Sequence, residues 1–279
     1  MTTATAGAPT VGALLRSWRN RRRISQLELA LRADSSARHI SFIETGRSLP
    51  SRQMILRLAD HLDVPVRERN ALLVAAGYAP YFPERPLDDP AMGELRAGLE
   101  RLLCAHEPFP ALAVDGTYRV VAANRSVSLL LDGVAEELLV PPLNAMRLTL
   151  HPRGMAPRIR NYGQWRAHLL HQMERQLAVL RSAPLRAVYD EVSSYPPPEV
   201  PGEERPDDGP AAPFALPLRI EHAGRTLSFV SAIATFNTPM DVTVSELALE
   251  TFLPADAETA AYLHGAHLRD APLQGALTP

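Results

Sequence analysis

Residues 25–51 read SQLELALRADSSARHISFIETGRSLPS, and this stretch decides the architecture of the N-terminal part of the chain. Ser25 is placed to cap a helix, with Glu28 three residues on to close a capping box and Leu29 and Ala30 opening its inward face. A polar break at Asp34-Ser35-Ser36 ends that helix. Ser36 then caps a second one, Ile40 and Ile43 face inward, and Gly46 supplies the left-handed stop. Two short helices joined by such a break form a helix-turn-helix. Ala37, Arg38, His39, Ser41 and Phe42 are left facing outward on the second helix, and a face of this kind, braced by the helix before it, has the shape that enters a major groove.

Working outward, Val11, Leu14, Leu15 and Trp18 form one stripe of an opening helix over Val11 to Arg22. Arg21-Arg22-Arg23 at its end is expected to meet phosphates. Beyond Gly46, Pro50-Ser51 restarts the chain into a fourth helix with Ile55, Leu58, Ala59 and Leu62 inward. A fifth runs from about Val66 to Ala76 and stops at Gly77. Charge is distributed accordingly. Up to Tyr78, twelve arginines stand against six acidic residues; the remaining 17 basic and 25 acidic residues leave the rest of the chain acidic, although the formal net charge is only -2. A basic module on an acidic body points to a polyanion at one end.

From Ala79 to Pro90 the composition shifts to APYFPERPLDDP, read as a semi-rigid linker. The remainder alternates strands and helices. A helix over Met92–His106 precedes strands at Ala111–Val114 and Tyr118–Ala122, joined by Asp115-Gly116, a hairpin dipeptide. Helices follow at Asn124–Leu131, Asn161–Arg181 and from Pro184 to about Val192, and then a proline-rich acidic loop, Tyr195–Pro213, expected to be exposed and mobile. Strands at Leu216–Glu221 and Arg225–Thr235 flank His222-Ala223-Gly224, a third covers Ser245–Phe252, and a helix from about Asp256 to Leu268 closes the chain. The expected layout is a tail at 1–10, an all-α five-helix domain at 11–78, a linker at 79–90, an α+β domain with an antiparallel sheet at 91–268, and a tail at 269–279.

Several classes of function lack support. Cys104 is the single cysteine, so neither a disulfide framework nor a thiolate zinc site forms within one chain, as suits a reducing cytoplasm. No apolar run approaches the ~20 residues of a membrane span. Residues 1–10, MTTATAGAPT, lack the regions of a signal peptide. Among nine histidines, His168 and His171 share a helix, with His106 and His151 elsewhere, but three converging ligands are not in view, so no metal is expected. No nucleophile elbow, phosphate loop or other catalytic signature occurs, so neither enzyme activity nor a cofactor is expected.

The pattern S-Q-x-x-L-A, then I-S-x-I-E-x-G-R and P-S, through Ser25, Gln26, Leu29, Ala30, Ile40, Ser41, Ile43, Glu44, Gly46, Arg47, Pro50 and Ser51, resembles the Cro/C1-type, XRE-like family of helix-turn-helix regulators. That resemblance implies a double-stranded DNA operator, with Gln26 anchoring the phosphate backbone and Ala37, Arg38, His39, Ser41 and Phe42 facing the bases. We assign base reading to Arg38 and His39, and phosphate contacts to Gln26, Arg47 and Arg52. Phe42 departs from the family pattern, which places a polar residue there.

Four further stretches, HEPFPALAVD from His106, N-x-x-x-x-x-L-L from Asn124, RLTLHPRGMAPRIRNYGQWRAHLL from Arg147 and TPMDVTVSELALETFLPAD from Thr238, are similar to the MmyB-like transcription regulator ligand-binding domain. This implies a PAS-like fold with a pocket for a small apolar molecule, fatty acids being the class the family suggests. Trp165, Leu169 and Met173 on the long helix and Phe229, Ile233 and Phe236 on the strands are the candidates for that pocket. Arg158, Arg160 or His168 would meet a ligand carboxylate, because a buried anion must be paired. The expectation is a cytoplasmic, ligand-responsive regulator acting as a homodimer on a roughly palindromic site; the alternative is a regulator whose C-terminal domain binds no ligand and serves dimerisation or protein interaction.

Overall fold

The computed structural model describes residues 9–180, 182–198 and 215–269. The expected tails up to residue 8 and from 270, and the 199–213 portion of the proline-rich loop, lie outside the described residues. The chain forms two compact units, one comprising residues 1–86 with 237–245, the other 87–236 with 246–279.

The first unit holds α1 (Val11–Arg21), α2 (Gln26–Arg32), α3 (Ala37–Glu44), α4 (Arg52–His61) and α5 (Val66–Ala75). Local chemistry places their ends. Thr10, Ser25, Ser36 and Ser51 each accept a hydrogen bond from the backbone N–H three residues on, and Gly46 and Gly77 leave their helices with φ of 73° and 81°. The capping box at Ser25 forms only by half, because the Glu28 carboxylate turns forward to Arg32 one turn along instead of back to the cap. Leu15, Leu29, Ile40, Ile43, Ile55, Leu58 and Leu72 share one core. Gly12 lets α1 approach the end of α3, since a Cβ there would collide with the Ile43 carbonyl oxygen.

The segment read as a linker is partly bound down. Asn70 on α5 accepts hydrogen bonds from the Tyr81 and Phe82 amides and donates to the Phe82 carbonyl at 2.7 Å, and Phe82 is buried. Residues 237–245 join this unit from far along the sequence: the Val242 amide donates to the Pro83 carbonyl at 2.8 Å, and Asp241 pairs with Arg85. The first unit is therefore discontinuous in sequence, which a linear reading of composition does not show.

The second unit is an α+β domain on a five-stranded antiparallel sheet. Its strands are β1 (Ala111–Val114), β2 (Val120–Ala123), β3 (Leu218–His222), β4 (Arg225–Thr235) and β5 (Ala248–Pro254), in the spatial order β2-β1-β5-β4-β3. This order, with a helical block between β2 and β3, is PAS-like. The block comprises α7 (Ser128–Leu131), α8 (Ala145–Leu150), α9 (Tyr162–Val179) and α10 (Ala183–Ser193); α6 (Gly93–Ala105) precedes the sheet and α12 (Ala257–Arg269) follows β5, whereas all but the last residue of α11 (Val242–Glu246) belongs to the segment that joins the first unit.

Two hairpins contrast. Between β3 and β4 a two-residue turn, Ala223-Gly224, takes φ of 50° and 73°, the primed geometry that matches strand twist. Between β1 and β2 the expected tight Asp-Gly turn is instead a longer loop. There Asp115 Oδ1 accepts from the Thr117 and Arg119 amides, and the left-handed residue is Tyr118, not Gly116. Strand β2 accordingly starts at Val120, two residues later than the alternation suggests. Helix α8, read from sequence only as a mixed stretch, is capped by Asn144, whose Oδ1 accepts from the Met146 and Arg147 amides. Buried Asn124 joins the end of α6 to β1 by donating to the Leu103 and Phe109 carbonyls and accepting from the Ala111 amide.

Candidate DNA interface and ligand cavity

The helix-turn-helix is held by one buried carboxylate. Glu44, at the end of α3, accepts from Arg19 Nε at 2.6 Å and Nη2 at 2.9 Å, and from Gln26 Nε2 at 2.8 Å; the third arm of Arg19 donates to the Ile24 carbonyl. The Glu44 and Arg19 side chains are 2% and 11% exposed. The hydrogen bonds from Arg19 to Glu44 raise the guanidinium pKa further above its ordinary value. This network ties α1, α2 and α3 together at the point from which the second helix projects. Gln26, expected on phosphate, spends one amide N–H here and keeps a second.

On the outward side of α3, Arg38 is exposed while Ala37, His39, Ser41 and Phe42 are half-buried. Phe42 has a definite use. The Arg38 guanidinium lies 5.2 Å and that of Arg47 5.9 Å from its ring centroid, so the aromatic face orders two cations on the side that would face nucleic acid. Arg47 is exposed, and Arg52 stacks on Tyr81 at 4.7 Å. The basic run after α1 is divided in its roles. Arg22 donates to the Leu62 and Asp63 carbonyls at the end of α4, a structural task that its position beside other arginines does not reveal.

The second unit contains a cavity of about 230 Å³. One wall is sheet, from Leu112 on β1, Val120 to Ala123 on β2, Leu218 on β3 and Phe252 on β5; the other is helical, from α7, α8 and the first turns of α9. Of the residues expected from sequence, Trp165 and Leu169 line it. Met173 and Phe229 are buried in the surrounding core without lining it. Ile233 and Phe236 lie toward the end of β4, 50% and 36% exposed. Arg160 pairs with Glu221 outside the cavity lining. His168 lies on the exposed side of α9, one ring face over Trp165 at 5.5 Å; desolvation on that face, with Arg175 and His171 nearby, lowers its pKa. Arg158 directs its guanidinium to the Leu130 and Glu221 carbonyls, and burial lowers its pKa.

Glu250 is the cavity residue that sequence reading missed. Alternation on β5 sets Ala248, Glu250 and Phe252 on one face, and Glu250 and Phe252 line the cavity. Leu249 and buried Leu247 pack with Leu99 and Ala113 in a separate small core. With apolar residues on both faces of the strand, periodicity does not mark which side a lone glutamate takes. Glu250 is half-buried against the cavity, and desolvation pushes its carboxyl up to about 7, against a hydrogen bond from Ser231 that favours the charged form.

Residues 10–72 match a helix-turn-helix domain, and residues 95–265 match the MmyB-like transcription regulator ligand binding domain. No curated protein matches. A solved structure described as an RNA-binding light-oxygen-voltage receptor aligns over 94% of this chain and 62% of its own length, at 12% identity and a TM-score of 0.28. The ligand-binding-domain match spans more than half of the chain, and with the helix-turn-helix before it the protein belongs to the MmyB-like transcription regulators: DNA-binding, with a ligand-sensing domain.

Proposed function

We propose that this is a cytoplasmic, XRE-type regulator that binds a specific operator as a homodimer and changes its DNA affinity when a small apolar molecule enters the cavity of its second unit. The observation that carries the reading is the cavity itself, a space lined by Leu112, Met146, Leu148, Trp165 and Leu169 in a domain attached to a DNA-reading helix. A domain serving only dimerisation would have its core filled at this place.

Arg38 and His39 read base edges, and Gln26, Arg47 and Arg52 hold phosphates. Two copies of α3 on a two-fold axis would meet half-sites about one helical turn apart. The ligand acts only to the extent that it favours one arrangement of the protein over another. An apolar body suits the cavity walls, as in the fatty acids that the family suggests.

The reading is tested by fluorescence anisotropy on tiled segments of the promoter of its own and neighbouring genes. Arg38→Ala should lower specific affinity by about 1–3 kcal/mol and relax discrimination at one base pair in each half-site. A loss shared equally by specific and random DNA would show that Arg38 holds phosphate instead.

A further inference from the structure

We infer that the second half of β4 is the edge through which two copies of this chain pair, Ser231 to Thr235 of one protomer lying antiparallel to the same residues of the other about a two-fold axis at Ile233. This rests on the reading of the protein as a homodimer and names the surface that makes it one.

The register of the sheet leaves this edge open. Strand β4 runs from Arg225 to Thr235, but β3 covers it only from Arg225 to Phe229, while β5 continues along its other side to Thr235. The Ala255 amide donates to the Ser228 carbonyl, and the Thr251 hydroxyl to that of Ala232, so the even-numbered residues turn their backbone groups toward β5. The N–H and C=O groups of Ser231, Ile233 and Thr235 therefore point the other way, where no strand lies among the described residues. The outermost strands are treated differently. Arg219 on β3 accepts from the Arg160 amide and donates its own to the Asn161 side chain; β2 meets the Leu143 carbonyl at Val120 and is half-buried along its length. Ala232 to Phe236 are exposed.

The composition of the edge decides its occupant. Residues 226–240, TLSFVSAIATFNTPM, carry no charge. Open edges are ordinarily guarded by lysine, proline or a bulge, and β4 has none of these between Ser231 and Thr235. A two-fold contact sets one patch against itself, so a charged strand would repel its copy and this one does not. Pairing centred on Ile233 sets Ser231 opposite Thr235, and each outward N–H then meets an outward C=O. Ile233, 50% exposed in the single chain, packs on its own copy, and Ala232 falls opposite Ala234 on the other face. Because β4 ends at Thr235, the second copy stops where β3 begins. The stretch of this chain that precedes β3 suits the edge less well: Pro206, Pro210, Pro213 and Pro217 interrupt its run of amide donors.

The test is sedimentation equilibrium on four full-length chains: the wild type, Ala232→Lys with Ala234→Lys, Ala232→Glu with Ala234→Glu, and Ala232→Lys with Ala234→Glu. Residue 232 of each protomer faces residue 234 of the other, so the first two variants oppose like charges and the third opposes unlike ones. The like-charged variants should dimerise roughly tenfold or more weakly than the wild type, and the third should stay within about threefold of it. Mixing the two like-charged variants should restore the dimer. Amide exchange in the wild type reads the same edge without substitution. Ser231, Ile233 and Thr235 should be protected in the dimer and exchange freely on dilution, while Ala232 and Ala234, turned toward β5, stay protected throughout. Dimers indifferent to like charges, or exchange at Ile233 that ignores concentration, overturn this edge and leave the homodimer standing. A wild type that sediments as a monomer at every concentration overturns both.

Discussion

Each unit carries a glutamate inside its fold, Glu44 buried and Glu250 half-buried against the cavity, and the two are treated in opposite ways. Glu44 receives three hydrogen bonds from Arg19 and Gln26, and all of them come from neighbouring helices of its own unit. Glu250 receives one from Ser231 and otherwise faces the largely apolar lining of the cavity. A carboxylate satisfied by charged and amide donors of its own fold is a fastener, and one beside apolar walls with a single hydroxyl donor is held closer to its neutral form. The comparison teaches that burial alone does not set the state of a carboxyl; the donors around it do.

The largest effect that would break this contrast lies in the helical unit. Glu44→Ala strands the buried Arg19 cation and should destabilise that unit by about 3–5 kcal/mol, with DNA binding lost alongside. Denaturant unfolding followed by Trp18 and Trp165 fluorescence should show an early transition of the helical unit while the α+β domain keeps its own midpoint. A cost below about 1 kcal/mol would mean that the network is not the fastener.

Next comes Glu250→Gln, whose effect has the opposite sign. The folded-state carboxyl of Glu250 is raised from 4.5 to about 7 by desolvation, so the folded domain binds this proton more tightly than the unfolded chain does. Stability from this group is complete below about pH 4.5 and falls away as pH rises through 7. At pH 8 the glutamine variant should be more stable than the wild type by on the order of 3 kcal/mol, and the slope between pH 4.5 and 7 should flatten. Thermal melts at pH 5 and pH 8 decide it. Equal pH slopes in the two proteins would place the titration elsewhere.

The smallest effect sharpens the comparison at the DNA-facing surface. Phe42→Leu keeps an apolar side chain on α3 but removes the ring beneath Arg38 and Arg47. Operator affinity should weaken roughly three- to tenfold with little change in stability. No change in affinity would reduce the two stacks to decoration.

The helical unit was legible in the sequence because its instructions are local. Ser25, Ser36, Ser51, Gly46 and Gly77 act on the residues beside them, so each observed boundary falls within two residues of the expected one. Even there, the tasks of Glu44 and Arg22 depend on partners 18 to 41 residues away and were not readable as spacing. The antiparallel α+β order was legible from turns and alternation, but the cavity was not. On α9 the stripe Trp165, Leu169, Met173 is continuous, and only tertiary packing decides that the cavity ends between the second and third of these. On β5 the inward direction of Glu250 follows from the pairing of its strand between β1 and β4.

Gly12 gives the first unit a mechanical tolerance. Because the backbone of α1 at this residue lies against the Ile43 and Glu44 carbonyls, even one added methyl must push α3 aside. Such a shift would act on the pitch at which the reading helix meets a groove, and in a two-fold assembly the error would be applied twice, once at each half-site. Residue 12 is thus a gauge block: the thickness of the chain there sets how α1 seats against the end of α3.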